Sequence, residues 1–187
     1  MIAALVAAAA LGAVPDQLGE WEVLADGDIR VACAPAGEFT WCRAQAQLEA
    51  PLERIEAVLL DVGSYPDVFK RITQATEVAP NTVHIVLDMP FPIASRDYVA
   101  RFTRAVEGQE RVFAWVADDQ VDVPVGKAVR LVHAGGEWRL AEASAEVTEV
   151  SYTWNGDLGG DFPTWALPRA WRVQGLEVLE WLDDAVR

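Results

Sequence analysis

Tyr98, Tyr152, His84 and Arg104 are the side chains placed to hold a proton or a charge within otherwise apolar stretches. An enclosed phenol or imidazole can act as a general acid or base, and a guanidinium can hold a ligand's polar head. Tyr98, Ala100, Phe102 and Arg104 recur at period two and share one face of a strand. Arg104 meets a ligand if that face is inner, and solvent if it lies past the mouth. Tyr152 shares a second face with Thr148, Val150 and Trp154. His84 falls opposite Val83, Ile85, Leu87 and Met89, the apolar set of its own strand, and His133 sits near a turn, so both histidines point away from the apolar side. No acidic residue shares the Ile85 face to pair with Arg104. Arg96 and Asp97, at the start of the Tyr98 strand, are expected to form a structural pair at the loop.

Cys33 and Cys42 carry the remaining reactive groups. A two-residue turn at Gly37-Glu38 sets Ala36 opposite Phe39 and Cys33 opposite Cys42. Cys33 and Cys42 then form a non-hydrogen-bonded pair with a Cα separation of ~4.5 Å, inside disulfide range. Pro35 also falls at a non-hydrogen-bonded site, where it breaks no bond to its partner. A disulfide is expected, with two buried free thiols as the alternative. Two cysteines and two distant histidines do not make a metal site.

Those residues need a frame, and the chain supplies one. The 187 residues suffice for one core without help from disulfides. Fifteen Lys and Arg against 29 Asp and Glu give a formal charge of -14, which repels nucleic acid and anionic lipid headgroups, so nucleic-acid binding is excluded. Any membrane contact has to use a local apolar tip. Residues 1–13 form an Ala-rich, uncharged run that reads as the apolar middle of a secretory signal without a basic start. A secreted or periplasmic chain is therefore expected, cytoplasmic if that run is not a signal, with one domain over residues 17–187. A monomer is expected.

Residues 51–62 place Leu52, Ile55, Val58, Leu59 and Val62 at helical spacing. From Ile72 to Leu140 the pattern is strand after strand, including a hairpin of 127–133 with 137–141 over Ala134-Gly135-Gly136. Thr148 to Asn155 makes a further strand. Pro163 to about Val186 reads as a helix ~35 Å long, with Leu167, Trp171, Val178 and Leu182 along one stripe, widened by Trp165, Leu176, Leu179 and Trp181. Gly175 inside it implies a close contact. These elements describe an α+β fold, an antiparallel sheet curling around a helix.

Pro90-Phe91-Pro92 followed by Arg96-Asp97-Tyr98-Val99, then Val129-Arg130 before a Gly-Gly turn and Trp138, resemble the START lipid-transfer domains. Thr148-x-Val150-x-Tyr152 and Asp157-x-Gly159-Gly160-x-x-Pro163-x-Trp165 extend the resemblance, which runs from about Arg43 to the C-terminus. It implies a helix-grip fold, with a curved antiparallel sheet wrapped around the long C-terminal helix and a tunnel for one sterol- or phospholipid-like molecule. It also implies carriage of that lipid between membranes through transient membrane contact, with no covalent chemistry and no cofactor. The expected lining is Ile85, Leu87, Met89, Tyr98, Ala100, Phe102, Arg104, Tyr152 and Trp154, facing Trp165, Leu167 and Trp171. A solid core would use the same residues. The Pro90 to Ser95 loop and Gly159-Gly160 are the expected gates. The alternative is a polyketide cyclase or aromatase on a related fold, with its acid or base drawn from Tyr98, His84, Arg104 or Tyr152.

Overall fold

The computed structural model describes residues 14–160 and 162–187, so the signal read over residues 1–13 lies outside the described residues, as does Asp161. Strands β1 (Glu22–Asp26), β2 (Arg30–Ala36) and β3 (Phe39–Leu48) form a meander. Helix α1 (Leu52–Leu60) and the short helix α2 (Tyr65–Val68) then carry the chain to the far edge. There β4 (Ile72–Ala79), β5 (Thr82–Leu87), β6 (Arg96–Glu107) and β7 (Glu110–Ala117) build inward, and β9 (Gly135–Ser144) and β10 (Val147–Asn155) fill the middle. The spatial order is β1-β2-β3-β10-β9-β7-β6-β5-β4, with β8 (Val129–Arg130) alongside β6. The C-terminal helix α3 (Leu167–Val186) packs across this curved sheet, as the α+β helix-grip reading requires.

The β2–β3 hairpin has the expected register. Cys33 opposes Cys42, Ala36 opposes Phe39, and a disulfide joins the two cysteines across a Cα separation of 4.0 Å. Gly37 takes φ +61° at the first turn position, where a side chain would be strained. The closed loop is short, with a sequence separation of 9. Replacing both cysteines with alanine should therefore lower stability by about 2–3 kcal/mol, read as a drop of roughly 5–10 °C in Tm by calorimetry.

Two expectations about elements are corrected. The residues 127–141 do not form a hairpin. β8 instead runs parallel to β6, pairing Arg96 with Val129 and Asp97 with Arg130, while β9 pairs with β7 and β10. Gly135 and Gly136 lie within β9 because Gly136 passes directly under the Trp115 ring: a Cβ there would sit 2.3 Å from Trp115 Cζ2. The helix also starts later than Pro163. Pro163 is extended at ψ 120°, Thr164–Ala166 make a single 3-10 turn, and Pro168 occupies the first turn of α3, where its missing N–H costs nothing.

Gly175 fulfils its expected role. A Cβ there would meet Val31 Cγ2 at 2.8 Å and Trp154 Cη2 at 3.1 Å, so α3 approaches β2 and β10 as closely as a glycine permits. One side of the C-terminal half of α3, with Leu179, Leu182 and Val186, packs into a solid core with Val31, Leu48, Ile55 and Leu59.

Candidate ligand-binding site

Over its other inward side α3 stands off the sheet, and a cavity of about 470 Å³ lies between them, bridged by a hydrogen bond between Gln174 and Tyr152. Strands β5 and β6 contribute Ile85, Leu87, Tyr98 and Phe102, and β10 contributes Tyr152 and Trp154. Met89, Pro90 and Ile93 follow from the loop after β5, and α3 supplies Ala170, Val173, Gln174, Glu177, Val178 and Trp181. Of the residues expected to line a ligand site, Ile85, Leu87, Met89, Tyr98, Phe102, Tyr152 and Trp154 are on this wall.

Five expected residues lie elsewhere. Ala100 is fully buried in the sheet core, and Arg104 is exposed on the outer stretch of β6, beyond the cavity. Trp165 is 84% exposed, and Leu167 is not part of the lining. Trp171 packs outside the cavity, its Nε1–H donating to Gly156 O at 2.7 Å. For the residues of the helix the reason is rotational. Successive helix residues are about 100° apart, and Gly175 fixes which side of α3 meets the sheet. That orientation sends Ala166, Ala170, Val173 and Glu177 toward the cavity, and the bulkier Trp171 to the side.

The sheet side of the cavity is an aromatic floor. Phe102 stacks on Trp115 at 6.3 Å, Trp115 on Tyr152 at 5.8 Å, and Tyr152 on Trp154 at 4.8 Å. Trp138 lies 4.4 Å from Tyr152 and 6.1 Å from Phe69, which meets Tyr65 edge-on at 4.9 Å. Trp115, Trp138, Tyr65 and Phe69 were missed as lining residues. A signal for Trp115 existed: counting outward from the Gly108-Gln109 turn sets it opposite Phe102, and the structure has that register. Trp138 could not be found in the same way, because counting from the Ala145-Glu146 turn sets Tyr152 opposite Arg139, and a bulge at Val147/Thr148 shifts the register by one to Trp138.

Polar groups at this wall are few. Tyr65 donates its hydroxyl to Leu59 O at 2.8 Å. Burial pushes the Tyr98 phenol far above its ordinary value, with the neighbouring Tyr152 and Tyr65 adding to it, and burial likewise raises Tyr152 against a hydrogen bond with Gln174. Both phenols are therefore protonated at neutral pH, which equips them to donate hydrogen bonds and not to abstract protons. The Trp154 Nε1–H is buried without a hydrogen-bond partner among the described residues. Along the opening, Arg71 and Glu177 form a bidentate ion pair at 2.6 and 2.9 Å that ties the start of β4 to α3.

The remaining proton-carrying candidates are off the cavity. His84 Nε2 lies 2.8 Å from Asp97 on the outer face of the sheet, and the His133 ring lies tilted against Phe39 at 4.8 Å. Arg96 and Asp97 do not pair with each other, because adjacent strand residues point to opposite faces. Arg96 instead donates to the Leu158 and Gly159 carbonyls at 2.8 and 3.0 Å and to the Ala94 carbonyl, which joins the loop after β5 to the segment after β10. Asp97 takes Arg130 and His84.

No family model matches the chain. An uncharacterized protein of Pseudomonas aeruginosa is 28% identical over 172 residues, covering 86% of this chain and 84% of its own. Among solved structures, a STAR-related lipid transfer protein from Xanthomonas axonopodis superposes with a TM-score of 0.78 at 20% identity, over 89% of this chain and 98% of that one. An aromatase/cyclase from Streptomyces sp. R1128 superposes less well, with a TM-score of 0.53 at 20% identity, over 78% of this chain and 92% of its own. Superposing over nearly the full length of the lipid-transfer structure, with a curved antiparallel sheet around a long C-terminal helix, this chain has the START-like helix-grip fold.

Proposed function

We propose that this protein binds one lipid-like molecule, of the sterol or phospholipid kind, in the cavity under α3 and carries it between membranes without chemical change. The observation that carries this reading is the cavity itself: about 470 Å³, walled by aromatic and aliphatic side chains, with a few hydrogen-bond donors for a polar end. Sites for single small ligands span ~300–1,000 Å³ and have that make-up. The likeness to the Xanthomonas STAR-related lipid transfer protein supports it. The likeness to an aromatase/cyclase favours the catalytic alternative, but His84 and Arg104 are off the cavity, and burial holds the lining phenols of Tyr65, Tyr98 and Tyr152 protonated. The lining carboxylate of Glu177 is taken up by its ion pair with Arg71, and Asp88 and Asp157 are exposed.

The disulfide supports an oxidising compartment, secreted or periplasmic, for a carrier that is one domain and monomeric. Mass spectrometry of the protein purified under native conditions tests the function. A bound apolar molecule is expected, or uptake of one from a lipid extract after delipidation; an empty protein in both experiments overturns the reading. Ala170→Trp projects an indole from α3 into the cavity. It should reduce lipid uptake roughly tenfold or more while Tm changes little.

A further inference from the structure

Among the described residues, the wall of the cavity carries no Ser, Thr, His or Lys, so its side-chain hydroxyls are those of Tyr65, Tyr98 and Tyr152. Tyr65 and Tyr152 are committed: Tyr65 donates to Leu59 O, and Tyr152 is hydrogen-bonded with Gln174 across the cavity. Tyr98 opposes Ile85 in the β5–β6 pair, and both side chains face the cavity. Its hydroxyl has no hydrogen-bond partner among the described residues, although Tyr152 and Tyr65 lie close enough to act on the phenol. Asn155 is held at both ends, by His133 O and the Asp157 N–H. The charged residues of the lining offer nothing inside: Arg71 and Glu177 hold each other, and Asp88, Asp157 and Arg169 are exposed at the opening.

We infer that the Tyr98 hydroxyl determines specificity by donating to an uncharged oxygen of the bound molecule, which makes the ligand a neutral lipid with a ketone or ester carbonyl and not one with a phosphate headgroup. This rests on reading the cavity as a lipid site. Burial keeps the phenol protonated, so it presents a hydrogen to the cavity. The Trp154 Nε1–H on the same wall is a second donor that lacks an acceptor, so the uncommitted groups are donors. A carbonyl oxygen satisfies such a donor and brings no hydrogen of its own, whereas a ligand hydroxyl brings one that then needs an acceptor. A phosphate or an ammonium brings a charge, and within the wall no uncommitted counter-charge among the described residues meets it, so its loss of water goes uncompensated. The rest of such a ligand lies on the aromatic floor of Phe102, Trp115, Tyr152 and Trp154.

Competitive uptake by the delipidated full chain, read by native mass spectrometry, tests this with cholestanone, its alcohol cholestanol, the hydrocarbon cholestane and dipalmitoyl phosphatidylcholine. The parent should prefer cholestanone over cholestane by ~10-fold, the value of one buried hydrogen bond, and take up cholestanol less well and phosphatidylcholine least. Tyr98→Phe removes one oxygen and keeps the ring, and the preference for the ketone over the hydrocarbon should disappear. Isotope-edited infrared spectroscopy of bound, carbonyl-labelled cholestanone supplies a readout that a packing change would not move. Its carbonyl stretch should fall to lower frequency in the parent than in Tyr98→Phe. If the variant does not fold, the parent alone decides, by comparison with the same ketone in hexane. A ketone preference that survives Tyr98→Phe, a carbonyl frequency in the parent equal to that in hexane, or a parent that prefers phosphatidylcholine would each overturn the inference. A parent that carries phosphatidylcholine or cholestane without regard to the ketone oxygen overturns it and leaves the lipid-carrier reading in place. A parent that takes up none of these probes, and nothing from a lipid extract, overturns both.

Discussion

Asp97→Ala is expected to lower the unfolding free energy by about 3–5 kcal/mol, the cost of removing one partner from a buried charge pair. The Asp97 carboxylate is 2% exposed, accepts Arg130 Nε at 3.0 Å and Nη2 at 2.7 Å, and lies 2.8 Å from His84 Nε2. Those partners come from two flanking strands, β5 and β8, and Arg130 also donates to Val123 O at 3.2 Å. Without the carboxylate, the guanidinium keeps its burial and loses its counter-charge. Asp97→Asn should cost less, since the amide keeps the shape and one acceptor oxygen. The effect should depend on pH. Burial by itself would raise the carboxyl, but the hydrogen bonds from Arg130 and His84 and their charges outweigh it and hold the group below the usual carboxylate range. A group depressed in the folded state stabilises fully above its unfolded value, near ~3.9, and the contribution disappears as pH falls through the folded value. Chemical denaturation at a series of pH values should therefore show the gap between the parent and Asp97→Asn widest at neutral pH and shrinking below about pH 4. A gap that stays constant down to pH 3 would mean that the charge of Asp97 contributes nothing.

The parts of this fold that were legible were those encoded within one element or across one tight turn. Period-two alternation identified β5, β6 and β10, and the Gly37-Glu38 turn fixed the register that places Cys33 against Cys42. The same logic gave Ile85, Leu87, Tyr98, Phe102 and Tyr152 their shared wall. What failed depended on long-range geometry. The rotation of α3 is set by the contacts of Gly175 with Val31 and Trp154, which no local pattern reveals, so the most apolar helix residues were assigned to the cavity in place of Ala170, Val173 and Gln174. β8 was read as half of a hairpin because Gly135-Gly136 looks like a turn, whereas the parallel pairing of Val129 with Arg96 brings together residues far apart in the chain. Arg96 and Asp97, adjacent in sequence and opposite in charge, suggested one pair; the pleat of the strand sends them to different networks on different faces.

Gly136→Ala should destabilise the protein by about 3 kcal/mol or more, at the upper end of what one added methyl does in a packed core. Its Cβ would fall 2.3 and 2.5 Å from Trp115 Cζ2 and Cη2 and 2.5 Å from the Thr153 carbonyl oxygen, separations that no rotamer change at position 136 can relieve. The ring has little room to move, because Trp115 is 7% exposed and stacked between Phe102 and Tyr152. The backbone of β10, which carries the Thr153 carbonyl, is held on both sides by β9 and β3. A double-mutant cycle separates these two obstacles. Trp115→Phe takes away the two ring atoms that collide, so adding it to Gly136→Ala should recover part of the loss as a favourable coupling, while the clash with Thr153 remains. Additive effects would show that the backbone contact alone makes glycine necessary here. Because Trp115 also lines the cavity, a ring pushed aside by the new methyl group should narrow the site, and lipid uptake by Gly136→Ala should fall at temperatures where the variant is still folded.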